Sequence, residues 1–278
     1  MSFTRETGVP IGGKASVKPR YAAAAAAALL AATLLWTSAG LRAGEPPCKP
    51  YSFEGNAYTL CEAPLSRFSI RLFWQRPDGA PYSYLSALPK TDAKGGKLAF
   101  ALNAGMFHPD YKPVGLYIED GRELVRANTR QGPGNFHLKP NGVFYAGEEE
   151  AGVLETGAFL KKRPKALYAT QSGPMLVVDG KLHPRIARAN VSAKARDGVC
   201  VRGPSDVLFA ISEGEVPFDT FERLFRDGLK CKNALFLDGG TAPALYVPSA
   251  SRGGNMLLGL GPMIAVYDKA RPNLAREP

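Results

Sequence analysis

The residues of this chain best equipped for chemistry are polar or acidic side chains set beside glycine where an apolar run stops. The sharpest case is Ala234-Leu235-Phe236-Leu237-Asp238-Gly239-Gly240-Thr241. Four apolar residues read as a strand buried on both faces, and Asp-Gly-Gly-Thr ends it abruptly, leaving the Asp238 carboxylate at the mouth of a sheet. The glycines permit backbone conformations closed to other residues and let a ligand approach the main chain. Upstream, Asp206–Ser212 reads as a second apolar strand, with Glu213 and Glu215 beyond its end. This reads as the floor of an active site. The competing reading is a plain turn, since Asp-Gly is a strong hairpin signal.

Other corners repeat the pattern. Leu98-Ala99-Phe100-Ala101-Leu102 runs into Asn103-Ala104-Gly105, whose amide could orient a hydroxyl or phosphate oxygen or satisfy its own turn. Gln171-Ser172-Gly173-Pro174 forms a rigid corner with exposed amides. Ser172 lacks a Gly-x-Ser-x-Gly setting, and no histidine is near it in sequence, which makes a serine hydrolase a minor option. His108 and His183 each precede proline in a loop, and His108 is the better candidate because it follows the Asn103 corner. Asp120-Gly121, Asp179-Gly180 and Asn141-Gly142 read as turns. Lys161, Lys162, Arg163 and Lys165 read as solvated surface.

Between the strands ending near Ser212 and Asp238, the spacing predicts a helix. Asp219 is its expected N-cap, Glu222 closes a capping box, and Phe218, Phe221, Leu224, Phe225 and Leu229 form one apolar stripe. Strand, helix, strand predicts a crossover between parallel strands with ligands beyond their carboxyl ends. Residues 58–60 and 68–74 read as two strands of a meander, and residues 83–87 as a short helix. The expected fold class is α/β (mixed α+β), a largely mixed β-sheet core with flanking helices.

Lys14, Lys18 and Arg20 precede an alanine- and leucine-rich run ending at Leu35-Trp36, followed by small residues at 38–43. This is the layout of a secretory signal, and the run is short for a bilayer span. A cleaved signal over 1–43 is favoured over an uncleaved anchor. Either way the folded part faces outward, periplasmic or secreted, touching membrane only through an uncleaved leader. Residues 44–278 are then expected to form a single domain carrying 30 basic and 24 acidic residues, a net charge of about +6. No nucleic-acid motif accompanies that excess, so no nucleic-acid partner is expected. All four cysteines lie in this part, and an even count in an oxidising compartment argues for disulfides. Three connectivities are open, of which the local pairs Cys48–Cys61 and Cys200–Cys231 are expected. None has zinc-ligand spacing.

Taken in order, Asn103-Ala104-Gly105-Met106-Phe107, Pro113-Val114-Gly115-Leu116, Pro140-Asn141-Gly142-Val143-Phe144, Gln171-Ser172-Gly173-Pro174-Met175-Leu176 and the Asp238 stretch resemble the phosphodiester glycosidase family. The resemblance spans residues 98–267. It departs from the family pattern at Ser212-Glu213-Gly214-Glu215, where many relatives carry Asp-Gly-Arg. The resemblance implies hydrolysis of a sugar-1-phosphodiester at the glycosidic bond, with a carbohydrate phosphodiester as the partner. Glycoside hydrolysis usually employs two carboxylates. On this reading Asp238 is base or nucleophile and Glu213 the second carboxylate. Asn103, Gly105, Asn141, Ser172, Gly173, Gly239, Gly240 and Thr241 hold the sugar and phosphate, and Arg196 pairs with the phosphate through its planar fork. No motif demands a cofactor. A divalent metal held by acids and Asn stays open, because no ligand spacing requires one. The alternative is a module that binds envelope sugar phosphates without cleaving them.

Overall fold

Phe100, Phe144 and Phe209 are fully buried and meet edge to face, with ring centroids 5.9 Å apart for Phe100–Phe209 and 5.8 Å for Phe144–Phe209. Each comes from a different β-sheet, so this contact is the hub on which three sheets converge. Burying one such ring contributes about 1.5–3 kcal/mol. The computed structural model describes residues 45–186, 192–254 and 257–270; the expected leader over 1–43 lies outside them.

Strands are numbered in chain order. The seven-stranded sheet runs β1 (Cys48–Phe53), β2 (Asn56–Pro64), β13 (Asp206–Ser212), β12 (Arg196–Arg202), β14 (Ala234–Gly239), β10 (Met175–Val178) and β11 (Lys181–Leu182). A five-stranded sheet runs β16 (Arg252–Gly253), β15 (Leu245–Val247), β4 (Lys97–Asn103), β17 (Met263–Asp268) and β3 (Phe68–Phe73). The other five-stranded sheet runs β6 (Arg122–Val125), β5 (Tyr117–Glu119), β9 (Tyr168–Ser172), β7 (Gly142–Ala146) and β8 (Ala151–Glu155).

This architecture bears out the β-sheet core of the expected fold class and narrows the rest of it. Helices are minor beside the strands, and every strand pair among the described residues is antiparallel. The crossover from β13 to β14 does return the chain in the same direction. However, β12 lies between the two and pairs antiparallel with both, so no parallel ladder forms. Both carboxyl ends and the amino end of β12 therefore share one edge. The expected meander also gives way. β2 pairs with β1 and β13, whereas β3 leaves for another sheet and pairs with β17.

The crossover segment begins as helix α2 (Phe218–Arg223), which follows α1 (Thr156–Lys162), and continues through a wider π turn over Leu224–Gly228. Its apolar stripe is buried as the spacing requires, with the Phe218 and Phe236 rings 4.7 Å apart. The capping box is absent. Pro217 occupies the N-cap, Asp219 accepts from Arg223 one turn on at 2.8 Å, and Glu222 points inward, where it accepts the His183 backbone N–H at 3.2 Å. Tertiary burial has claimed a side chain that local signals assign to a cap.

Both local disulfides are present. Cys48–Cys61 joins register partners of the β1–β2 hairpin, and Cys200–Cys231 ties β12 to the end of the crossover. No helix of the described residues is long and apolar enough to cross a membrane.

Candidate active site

The shared edge of β13, β12 and β14 is where the acids gather. Asp197 and Asp238 are register partners across the β12–β14 ladder, which places their side chains on one face. Asp197 is fully buried, and its Oδ1 accepts the Asp238 backbone N–H at 2.9 Å. Its Oδ2 has no hydrogen-bond partner among the described residues. Burial pushes the Asp197 carboxyl well above the ordinary aspartate range; the nearby Asn103 amide eases it down, and the Asp238 charge adds to the rise.

Asp238 is recessed but still reaches solvent. Desolvation raises its carboxyl to about 6, against the lowering effect of the Gly239 N–H, which donates to Oδ1 at 2.8 Å. At neutral pH it is mostly ionised yet more basic than an ordinary aspartate, the state a general base or nucleophile requires. Beyond it Gly240 takes φ +73°, a left-handed conformation that favours glycine, and its N–H donates to the Ala195 carbonyl at 2.9 Å. Gly240 and Thr241 form the exposed lip.

The other two sheets reach this point as well. Asn103 ends β4, is buried, and accepts the Ala244 N–H at 3.0 Å. Ser172 ends β9, is buried, and its hydroxyl donates to the Leu237 carbonyl at 2.6 Å, one residue before Asp238. Gly105 packs so closely on Thr170 and Gln171 that any side chain would collide with them, and its N–H donates to the Thr170 hydroxyl at 3.1 Å. The structure thus brings Asn103, Ser172 and Asp238 together, with Asp197 as a member that sequence reasoning missed. The only signal was Arg196-Asp197-Gly198 at the head of an unremarked strand.

Other expected site residues are placed differently. Glu213 lies at the end of β13 but is held by the Thr59 hydroxyl at 2.5 Å and the Arg252 guanidinium at 2.7 Å. Partial burial would raise its pKa, but these two contacts outweigh it and hold the carboxyl below the ordinary range. The acid that faces Asp238 is Asp197. Arg196 is buried, stacks over the Phe218 ring at 4.1 Å, and donates to the Val216 and Ser192 carbonyls at 2.9 and 2.8 Å; burial lowers its pKa to about 10. It pins the loops on either side of the acids. Asn141 is not in a hairpin turn. It is buried before β7, donating to the Phe136 carbonyl and accepting from Thr156 and Lys139, and Gly173 packs against it. His108 lies on an exposed loop and His183 is buried beneath Lys139. No three His, Cys, Asp or Glu side chains among the described residues gather as a metal-ligand set.

Comparison with known proteins bears on what such a site belongs to. The phosphodiester glycosidase family profile matches residues 96–268, which include every strand end described above. The chain belongs to the phosphodiester glycosidase family. A curated relative, the uncharacterised protein YigE of Escherichia coli K12, is 34% identical over 170 residues, covering 61% of this chain and 66% of that protein, just under two thirds of its length. Among solved structures, the catalytic domain of zebrafish N-acetylglucosamine-1-phosphodiester alpha-N-acetylglucosaminidase, auto-inhibited by its pro-peptide, superposes with a TM-score of 0.54 at 15% identity, covering 82% of this chain and 85% of that one. At that identity the likeness is one of fold.

Proposed function

We propose that this chain is an exported hydrolase that cleaves the glycosidic bond of a sugar-1-phosphodiester, releasing the sugar and leaving a phosphomonoester. The observation that carries this reading is the recessed Asp238 carboxyl, raised to about 6 and seated on the fully buried Asp197, which accepts its backbone N–H, in a chain of the phosphodiester glycosidase family. Asp238 acts as base toward water or as nucleophile at the anomeric carbon. The bond from that carbon to the phosphate oxygen breaks, and the electron pair leaves with the phosphate. Phosphate is a good leaving group without protonation, so one ionised carboxylate at the reacting carbon takes most of the burden that two share in ordinary glycoside hydrolysis.

Asp197 takes the place that the sequence assigns to Glu213, but as a positioning residue. It is too buried to touch substrate and acts by accepting the Asp238 N–H. Asn103, Asn141 and Ser172 have their polar atoms engaged within the protein and serve as the frame, while Thr241 on the exposed lip is positioned to contact the substrate. The two disulfides support a periplasmic or secreted location.

The test is turnover on a panel of sugar-1-phosphodiesters that begins with the methyl diester of N-acetylglucosamine 1-phosphate, the sugar in the zebrafish enzyme's name. Release of free sugar, lost in Asp238→Asn, is the expected result. Tight binding across the panel with no turnover would overturn the hydrolase in favour of a binding module.

A further inference from the structure

We infer that the site continues into a cationic groove that holds an extended aglycone carrying further anionic groups, so that the substrate is a phosphate-bearing chain. This rests on the proposed function and names the substrate class of the same site. The groove has a volume of about 470 Å³, and its lining includes His108, Lys112, Arg126, Asn128 and Arg130 but no Asp or Glu.

Both walls trace back to the site. One is the loop that leaves Asn103, folded on itself by the Val114 N–H donating to the Met106 carbonyl at 3.0 Å. The other is the segment after β6. Asn128 fastens it to the first wall by donating to the Val114 carbonyl at 3.0 Å. Gln171 clamps Asn128 from below, accepting its backbone N–H at 2.8 Å and donating to its carbonyl at 2.9 Å. Gln171 is the chain neighbour of Ser172, whose hydroxyl holds the backbone beside Asp238.

The charge in the groove is uncompensated. Several other cations are neutralised in place: Arg67 by Asp268, Lys94 by Glu148, Arg223 by Glu54 and Asp219, Arg252 by Glu213. Among the described residues Lys112, Arg126 and Arg130 pair with no carboxylate, and Arg126 and Arg130 are exposed. Asp110 is the nearest acid in sequence, and it caps its own turn by accepting the Lys112 backbone N–H at 3.1 Å. A groove lined by one sign of charge concentrates counter-charged ligands, and arginine forks bind phosphate in bidentate fashion. No Phe, Tyr or Trp lines it. Single-stranded nucleic acid is held on aromatic platforms, so the lining favours a phosphate-linked polyol or glycan over RNA.

The experiment has a binding arm and a turnover arm. In the first, Asp238→Asn protein is titrated into a fluorescent glycerol-phosphate oligomer and followed by anisotropy. Adding Arg126→Gln with Arg130→Gln should weaken binding about tenfold and flatten its salt dependence. The control pair Lys230→Gln with Lys232→Gln lies on another basic surface, beside Arg202 at the far end of β12, and should change affinity less than about twofold. Equal losses from both pairs, or a uridine RNA oligomer bound as tightly as the glycerol-phosphate chain, would overturn the assignment.

In the turnover arm, a sugar-1-phosphodiester bearing a tri(glycerol phosphate) aglycone should exceed the methyl diester in kcat/KM by about tenfold, and the Arg126/Arg130 variant should erase that margin while leaving the methyl diester unchanged. Turnover of both substrates with no margin overturns the groove and leaves the hydrolase standing. No turnover of either, with Arg126- and Arg130-dependent binding intact, overturns the hydrolase and supports the groove.

Discussion

Asp120-Gly121 and Asp238-Gly239 are the same dipeptide at the end of an apolar strand, yet only the second aspartate is desolvated by its surroundings. Asp120 takes φ +49° and Gly121 φ +74° in the tight turn of the β5–β6 hairpin, and Asp179-Gly180 repeats this with +48° and +77° between β10 and β11. The Asp120 side chain is 63% exposed and meets Tyr168 and Arg71. At Asp238 the strand continues through the aspartate, and the left-handed residue is Gly240. A hairpin turn projects its aspartate beyond two strands. Asp238 instead ends an interior strand, flanked by β12 and β10, with Asn103 and Ser172 arriving from two further sheets. The lesson is that the neighbours, not the Asp-Gly motif, decide whether its aspartate is desolvated.

The largest effect expected from this contrast is on turnover. Asp238→Asn should lower kcat by about 10³-fold, whereas Asp120→Asn and Asp179→Asn should stay within about twofold. A comparable loss in either hairpin variant would erase the distinction. Next comes the residue beneath. Asp197→Ala strips the Asp238 N–H of its acceptor and should cost about 10²-fold in kcat with little change in KM. Asp197→Asn, which keeps an acceptor oxygen, should restore most of it, a rescue that general destabilisation would not give.

Stability should move the other way. The folded Asp238 pKa of about 6 lies above the unfolded value of about 3.9, so ionisation costs stability that is fully recovered below both values and fully lost above both. Asp238→Asn should therefore stabilise the protein at pH 8 by at most about 3 kcal/mol and leave it unchanged at about pH 3, as read by denaturant melts. The smallest effect belongs to Glu213→Gln. It loosens an exposed pair with Arg252 and should cost no more than about 1 kcal/mol and threefold in turnover. A loss matching Asp238→Asn would return the second-carboxylate role to Glu213.

The sequence made legible what local pattern controls: the buried strands at 98–102, 206–212 and 234–237, the aromatic stripe of the crossover, both disulfides and the Asp238 corner. It hid what tertiary assembly controls. β12 opens with Arg196-Asp197-Gly198, two charges and a glycine, which leaves only the short Val199-Cys200-Val201 run to announce a strand, and its insertion both removed the parallel ladder and buried Asp197. β17 pairs with β3 and β2 with β13, so strands from the first and last thirds of the chain share two of the sheets, a long-range pairing that no local pattern announces. Asn141 and Ser172 were visible as polar corners. Whether a corner faces ligand or core depends on partners such as Thr156 and the Leu237 carbonyl, which no spacing reveals.

The most direct test is the carboxyl carbon-13 shift of Asp238, followed by NMR from acid to mildly alkaline pH and assigned by its loss in Asp238→Asn. Desolvation at the junction of three sheets predicts a midpoint of about 6. A midpoint at the ordinary aspartate value of about 3.9 would contradict it, leaving Asp238 no more than another turn residue.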